Sequence, residues 1–218
     1  MLLDALSLTE KVRPKVCLVY TASGDPSDYY ALSYEAFNAA GCDVTELKLF
    51  PQPSADPESR LLSSNLVWVG GGSVANLLAL WRLHGVDWAM HAAWQSGVIL
   101  AGVSAGSLCW HIGGTTDSFG PELRPVTNGL GMLPYANGVH YDSEAQRRPL
   151  LHQLLTDGTL PPLAYATDDH VGIWYEGIEA TAVVADFVVA PDGPAAYRVE
   201  LVDGDVLETR VEVGDNFA

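Results

Sequence analysis

The stretch Gly97–Cys109, "GVILAGVSAGSLC", decides the fold, because it joins an apolar, β-branched run to a set of small residues suited to a sharp turn. Residues 98–103, "VILAGV", read as a buried strand. Gly102-Val103-Ser104-Ala105-Gly106 fits the G-x-S-x-G elbow, in which the backbone reverses so tightly that a side chain two places from the serine would collide with it. A helix is expected after Gly106, running towards Trp110 and His111. At its start the N–H of Ala105 would face developing negative charge. The plainer alternative is a strand–helix turn with an inert serine.

Upstream, the same grammar repeats. Residues 15–20, "KVCLVY", form a strand, followed by a loop and a helix in "YYALSYEAFNAAG" that ends at Gly41. "CDVTELKLF" resumes strand character and stops at the proline-rich "PQPSADPES". "NLVWV" at 65–69 is another strand, cut off by Gly70-Gly71-Gly72. Helices follow in "SVANLLALWRLHG" and "VDWAMHAAWQSG", the second leading back into the elbow strand. Strand, turn and helix thus alternate three times with apolar strands, the pattern of a parallel sheet covered by helices on both faces. Downstream, residues 113–138 are rich in Gly, Pro, Thr and Asn and read as loop. "SEAQRRPLLHQLLTDG" reads as a helix with a proline near its middle. "LAYAT", "VGIWYEG" and "ATAVVADFVVA" read as late strands, and "AAYRVELV" with "VLETRVEV" as a hairpin around "DGD". No linker or repeat divides residues 1–218, so one domain is expected.

Composition narrows the classes of function. The 218 residues are 48% hydrophobic and 17% charged, which suits a packed α/β domain. Eleven basic against 27 acidic residues give a formal charge of -16, unfavourable for nucleic acid or anionic lipid. Cys17, Cys42 and Cys109 lack metal-finger spacing and read as small buried hydrophobes. No metal or other cofactor is expected. The N-terminus lacks a signal-peptide pattern and no apolar run approaches a membrane span, so a cytoplasmic location is expected, and a homodimer is allowed.

A serine needs a base, an orienting group and oxyanion donors. The glycine triplet in "VWVGGGSVANLL" matches neither a dinucleotide fingerprint nor a Walker loop. At a strand end it would open onto the same edge as the elbow and could give a second donor. Its plainer reading is a close helix–sheet approach. Among six histidines, His84, His91 and His152 lie in helical runs, and His111 would point away from the elbow on the same helix. His140, in the glycine-containing "YANGVHYDSE", is the better base, with His170 its main competitor. Asp117, Asp142, Glu144, Asp168 and Asp169 are all open as the orienting acid.

Taken together, "VGGGSVANLL", "GVSAG", the "TTD" segment and "GVHYDSEAQRRP" resemble the aspartyl dipeptidase (peptidase E) family of serine peptidases, which includes cyanophycinase-like enzymes. The similarity covers roughly residues 15–190. It implies a three-layer sandwich with a mostly parallel central sheet, like class I glutamine amidotransferases, with late antiparallel strands. It implies Ser104 as nucleophile, His140 as base, and oxyanion donors at Ala105 and at Gly71 or Gly72. The family acid, often a glutamate after a late strand, falls on Asp169, with Asp168 one register away. An aspartate there is shorter by a methylene and demands a closer backbone. Asp117 is implied near the amino end of a small peptide substrate, and Arg147 and Arg148 as readers of an aspartate side chain, with Arg124 also open. The implied reaction is hydrolysis after an N-terminal aspartate. An esterase ordered Ser104, Asp117, His140 and a flavodoxin-like small-anion binder are the competing readings.

Overall fold

Two short apolar runs in the first half, at residues 16–19 and 66–69, have no polar face to offer water, and each becomes a strand buried on both sides. In the computed structural model, which describes residues 2–190, 192–215 and 217, the chain divides into two compact units, Leu2–Ser107 and Leu108–Ala218. The first contains α1 (Leu2–Ser7), β1 (Lys15–Val19), a single 3₁₀ turn at Thr21–Ser23, α2 (Ser27–Ala39), β2 (Asp43–Glu46), α3 (Pro57–Leu62), β3 (Leu66–Val69), α4 (Val74–His84), α5 (Val86–Gln95) and β4 (Ile99–Gly102). Its sheet has the order β2-β1-β3-β4, and every pairing is parallel. Val16, Leu18 and Leu66 cluster with Tyr30 and Phe37 of α2. The alternate positions Cys17, Val19, Val67 and Val69 are equally buried, as strands covered on both faces require. Val19 is level with Val69, and Val69 with Gly102, so three strands end at one edge of the sheet.

The helix α3 lies where the sequence reads as a proline-rich break. Asp56 caps it by accepting from the Ser59 N–H at 2.9 Å, and Pro57 takes the first-turn position that needs no donor. α4 is bracketed in the same way. Ser73 accepts from the Asn76 N–H, and Gly85 at φ +69° closes the helix.

One turn of helix, α6 (Ala105–Leu108), follows the elbow. The expected run of helix to His111 does not form. His111 instead opens β5 (His111–Thr116), which pairs antiparallel with β6 (Arg124–Val126) and parallel with β7 (Leu133–Gly138). Residues 113–138 therefore hold strands where their composition suggests loop. The glycines are there because the strands crowd: a Cβ on Gly113 would lie 2.1 Å from the Val126 carbonyl oxygen, and one on Gly114 2.1 Å from that of Asn137.

The second unit continues with α7 (Arg147–Thr156), β8 (Leu163–Thr167), β9 (Val171–Glu176), β10 (Glu179–Ala185), β11 (Ala196–Val202) and β12 (Asp205–Val211). Its six-stranded sheet runs β12-β11-β8-β7-β5-β6, parallel from β5 through β7 to β8 and antiparallel at β11 and β12, while β9 and β10 form a separate hairpin. Leu151, Leu154 and Leu155 of α7 pack on Ala136, Ala164, Ala166 and Val199. Pro149 falls in the first turn of α7, where a missing N–H costs the helix nothing.

Candidate active site

Within the first unit, the elbow and the glycine triplet meet at the sheet edge. Ser104 has φ +54°, a left-handed conformation that ordinary residues avoid. Its flanking glycines are sterically required. A Cβ on Gly102 would fall 2.1 Å from the Gly106 carbonyl oxygen, and one on Gly106 2.3 Å from that of Val69. The Val103 N–H donates to the Val69 carbonyl at 3.1 Å, which fixes the elbow to the end of β3. Gly71 faces the serine: a Cβ there would stand 3.2 Å from Ser104 Cβ and 3.7 Å from its Oγ. Gly72 has a different task. Its φ of +132° and its approach to the Ala22 carbonyl oxygen, 2.4 Å from a built Cβ, belong to the turn into α4.

Among the described residues, nothing accepts a hydrogen bond from the N–H groups of Gly71, Gly72 or Ala105. Such unspent donors beside a serine can stabilise an oxyanion. The four residues of α6 are too short to add the aligned dipole of a long helix, so any stabilisation comes from individual N–H groups.

Within the second unit, parallel pairing brings the ends of β7 and β8 side by side, with Gly138 level with Ala166. The Tyr141 N–H donates to the Thr167 carbonyl at 3.1 Å, which draws the segment after β7 onto the end of β8. His140, at φ +54°, places Nδ1 2.6 Å from Oδ1 of Asp169. The two side chains are 33% and 38% exposed, so the pair is reachable from solvent. An ionised carboxylate has no proton to give, so Nδ1 donates to it, and in the neutral imidazole the lone pair is then on Nε2. The shorter aspartate reaches because the two strand ends are drawn together.

Asp169 is itself held. Its N–H donates to Asp142 Oδ1 at 2.9 Å. Burial raises its carboxyl, but hydrogen bonds from Ser143 and His140 and the imidazole charges of His140 and His170 outweigh it, and the group sits below the usual carboxylate range. Asp168 points elsewhere. It is 5% exposed, and its Oδ2 accepts from the Ala195 N–H at 2.9 Å and the Tyr197 hydroxyl at 3.1 Å. Burial raises its carboxyl above the usual range. His170 is 61% exposed at its side chain and faces Asp186 at 3.6 Å, and His152 Nε2 lies 3.0 Å from Glu208.

Neither arginine expected to read a substrate carboxylate is unengaged. Arg147 is 2% exposed, with Nε bonded to Glu144 at 2.8 Å and Nη1 to the Thr115 carbonyl oxygen. Arg148 pairs with Glu208 and lies over the rings of Tyr141 and Tyr197, at 4.3 and 4.7 Å. Asp117 is exposed just beyond β5 and shares an open cleft of about 520 Å³ with Gly120, Leu123, Glu144 and Gln146. Arg124, exposed on β6, is level with Thr116 across the β5–β6 pair, one residue from Asp117.

The chain has known relatives. The model of peptidase family S51 matches residues 3–183. The chain belongs to peptidase family S51. An uncharacterised peptidase of Bacillus subtilis strain 168, YgaJ, is 36% identical over 208 residues, covering 95% of this chain and 87% of that protein. The crystal structure of a peptidase from an acI-B1 Actinobacterium has a TM-score of 0.72 at 16% identity, covering 99% of this chain and 89% of its own. A putative peptidase E protein from Listeria monocytogenes EGD-e has a TM-score of 0.58 at 15% identity, over 95% and 93%. These two structures share the α/β fold, with its parallel core strands and later strands. The carboxylate bonded to His140 Nδ1 is Asp169, which follows the histidine in the chain. Asp142 and Ser143 hold Asp169. They stand two and three residues after His140, and nothing in their local sequence separates that role from an ordinary turn.

Proposed function

We propose that this S51 chain is a serine exopeptidase acting on short peptides through a covalent acyl-enzyme, on a three-layer, class I glutamine amidotransferase-like fold. The reading rests above all on Ser104, held at φ +54° between two glycines that have no room for a side chain. In the proposed reaction, Ser104 Oγ attacks the peptide carbonyl and His140 Nε2 takes its proton. The C–N bond breaks as His140 returns that proton to the leaving amine. Water, deprotonated by His140, then releases the acid product and restores the serine. N–H groups of Gly71 and Ala105 serve the oxyanion, and Asp169 holds the imidazole in the productive tautomer. Gly72 is retained as a donor of the same turn, and Asp117 is assigned to the substrate ammonium.

Hydrolysis after an N-terminal aspartate is the specificity carried by the peptidase E resemblance. Arg147 and Arg148 are engaged elsewhere, so Arg124 beside Asp117 becomes the arginine assigned to an aspartate side chain. Asp-X, Glu-X, Asn-X and β-Asp-X dipeptides on the wild type, Ser104→Ala, His140→Ala and Arg124→Gln proteins test both levels. The expected result is turnover that Ser104→Ala and His140→Ala each reduce at least about 1,000-fold, and an Asp preference that Arg124→Gln removes. Turnover retained by Ser104→Ala ends the serine reading. Equal wild-type rates on Asp-X and Asn-X end the aspartate specificity and leave the hydrolase.

A further inference from the structure

We infer that Asp168 and Tyr197 are positioning residues that hold Asp169, and through it His140, from the side of the strand opposite the imidazole. The inference rests on reading His140 as the base. Asp168 and Asp169 are consecutive and use opposite sides of the chain: one carboxylate takes the imidazole, the other faces into the unit. The inward one locks the end of β8 to β11 by three bonds. Its N–H donates to the Ala195 carbonyl at 3.0 Å, and its Oδ2 accepts from both the Ala195 N–H and the Tyr197 hydroxyl.

Tyr197 is fixed in turn. Its ring packs on that of Tyr141 with centroids 5.3 Å apart, and the Arg148 guanidinium lies over both rings. The Tyr141 hydroxyl donates to Glu208 at 2.8 Å, and Glu208 also accepts from Arg148. Tyr141 directly follows His140, as Asp168 directly precedes Asp169. The neighbours of base and acid thus enter one partly buried cluster, which sets the separation of the pair without touching it. Charged and titratable groups around Asp169 are His140, His170, Asp142 and, behind it, Asp168 with Arg148.

Both donors to Asp168 converge on one oxygen, so an asparagine side chain can accept the same two bonds without a charge. This separates positioning from a direct electrostatic role. In the 218-residue chain, Asp168→Ala and Tyr197→Phe are expected to lower kcat by roughly 10- to 100-fold at little-changed KM. Both should also lower the His140 titration midpoint observed by NMR, because a displaced Asp169 stabilises the imidazolium less. Asp168→Asn should restore both readouts towards wild type, whereas Asp169→Asn should not. A His140 midpoint unmoved in folded Asp168→Ala and in Tyr197→Phe overturns the inference, as does an Asp168→Asn protein as impaired as Asp169→Asn. If Asp168→Ala does not fold, Tyr197→Phe decides alone. Absence of wild-type turnover would refute the peptidase reading, while the NMR titration still reports on the positioning.

Discussion

His140 and Asp169 are joined by a bond of 2.6 Å, and the acid has no methylene to spare. Replacing Asp169 by asparagine keeps the size and removes the charge, and the amide can donate to Nδ1, which fixes the wrong tautomer. Asp169→Asn is therefore expected to lower kcat by about 1,000- to 10,000-fold, measured by steady-state kinetics with Ser104→Ala as the floor. The same residue has a signature in stability. Its folded carboxyl lies below its unfolded value, so its contribution is complete above the unfolded pKa of about 3.9 and is lost as pH falls through the depressed folded value. Thermal melts across that acid range should show Asp169→Asn losing less stability than the wild type. Parallel loss in the two proteins would mean the ion pair contributes nothing to folding.

At the scale of elements, the elbow is a packing problem before it is a catalytic one. Gly102 and Gly106 meet backbone oxygens, which cannot swing aside as a flexible side chain would. Gly102→Ala and Gly106→Ala should each destabilise the fold by about 1–3 kcal/mol, read by chemical denaturation, whereas alanine at the open C-cap Gly85 should cost only its left-handed strain. The elements that the sequence reveals are those whose burial matches their composition, such as β1, β3 and α4. Those it hides are β5 and β7, where Gly113, Gly114 and Asn137 mimic loop residues. Their glycines answer to neighbouring strands far along the chain, a constraint that no local window contains. α3 is hidden for the opposite reason: Asp56-Pro57 is a good helix start, but the prolines before it speak for a break.

Across the whole molecule, the formal charge of -16 is spread over 218 residues with few compensating cations. Screening should relieve that repulsion, so melting temperature is expected to rise between low and physiological salt, where the Debye length shortens to about 8 Å. A falling melting temperature would show instead that specific ion pairs such as Arg148–Glu208 outweigh the net repulsion. Ser104, the glycines around it and His140 were legible as candidates, because each sits in a distinctive local pattern. The choice of Asp169 over Asp168 was not, since it depends on which side of a strand end each carboxylate uses. The fate of the arginines was hidden for a similar reason, because their partners Thr115 and Glu208 lie 32 and 60 residues away.

The left-handed backbone at Ser104 sets the demands of the fold against those of the proposed chemistry. A glycine there would adopt the same φ without steric cost, so Ser104→Gly should be more stable than Ser104→Ala by about 1–2 kcal/mol, with neither expected to turn over substrate. Stability and activity therefore select different residues at one position. A search for thermostable variants scored on melting temperature alone would drift towards an inactive protein at residue 104, and only a turnover screen would hold the serine in place.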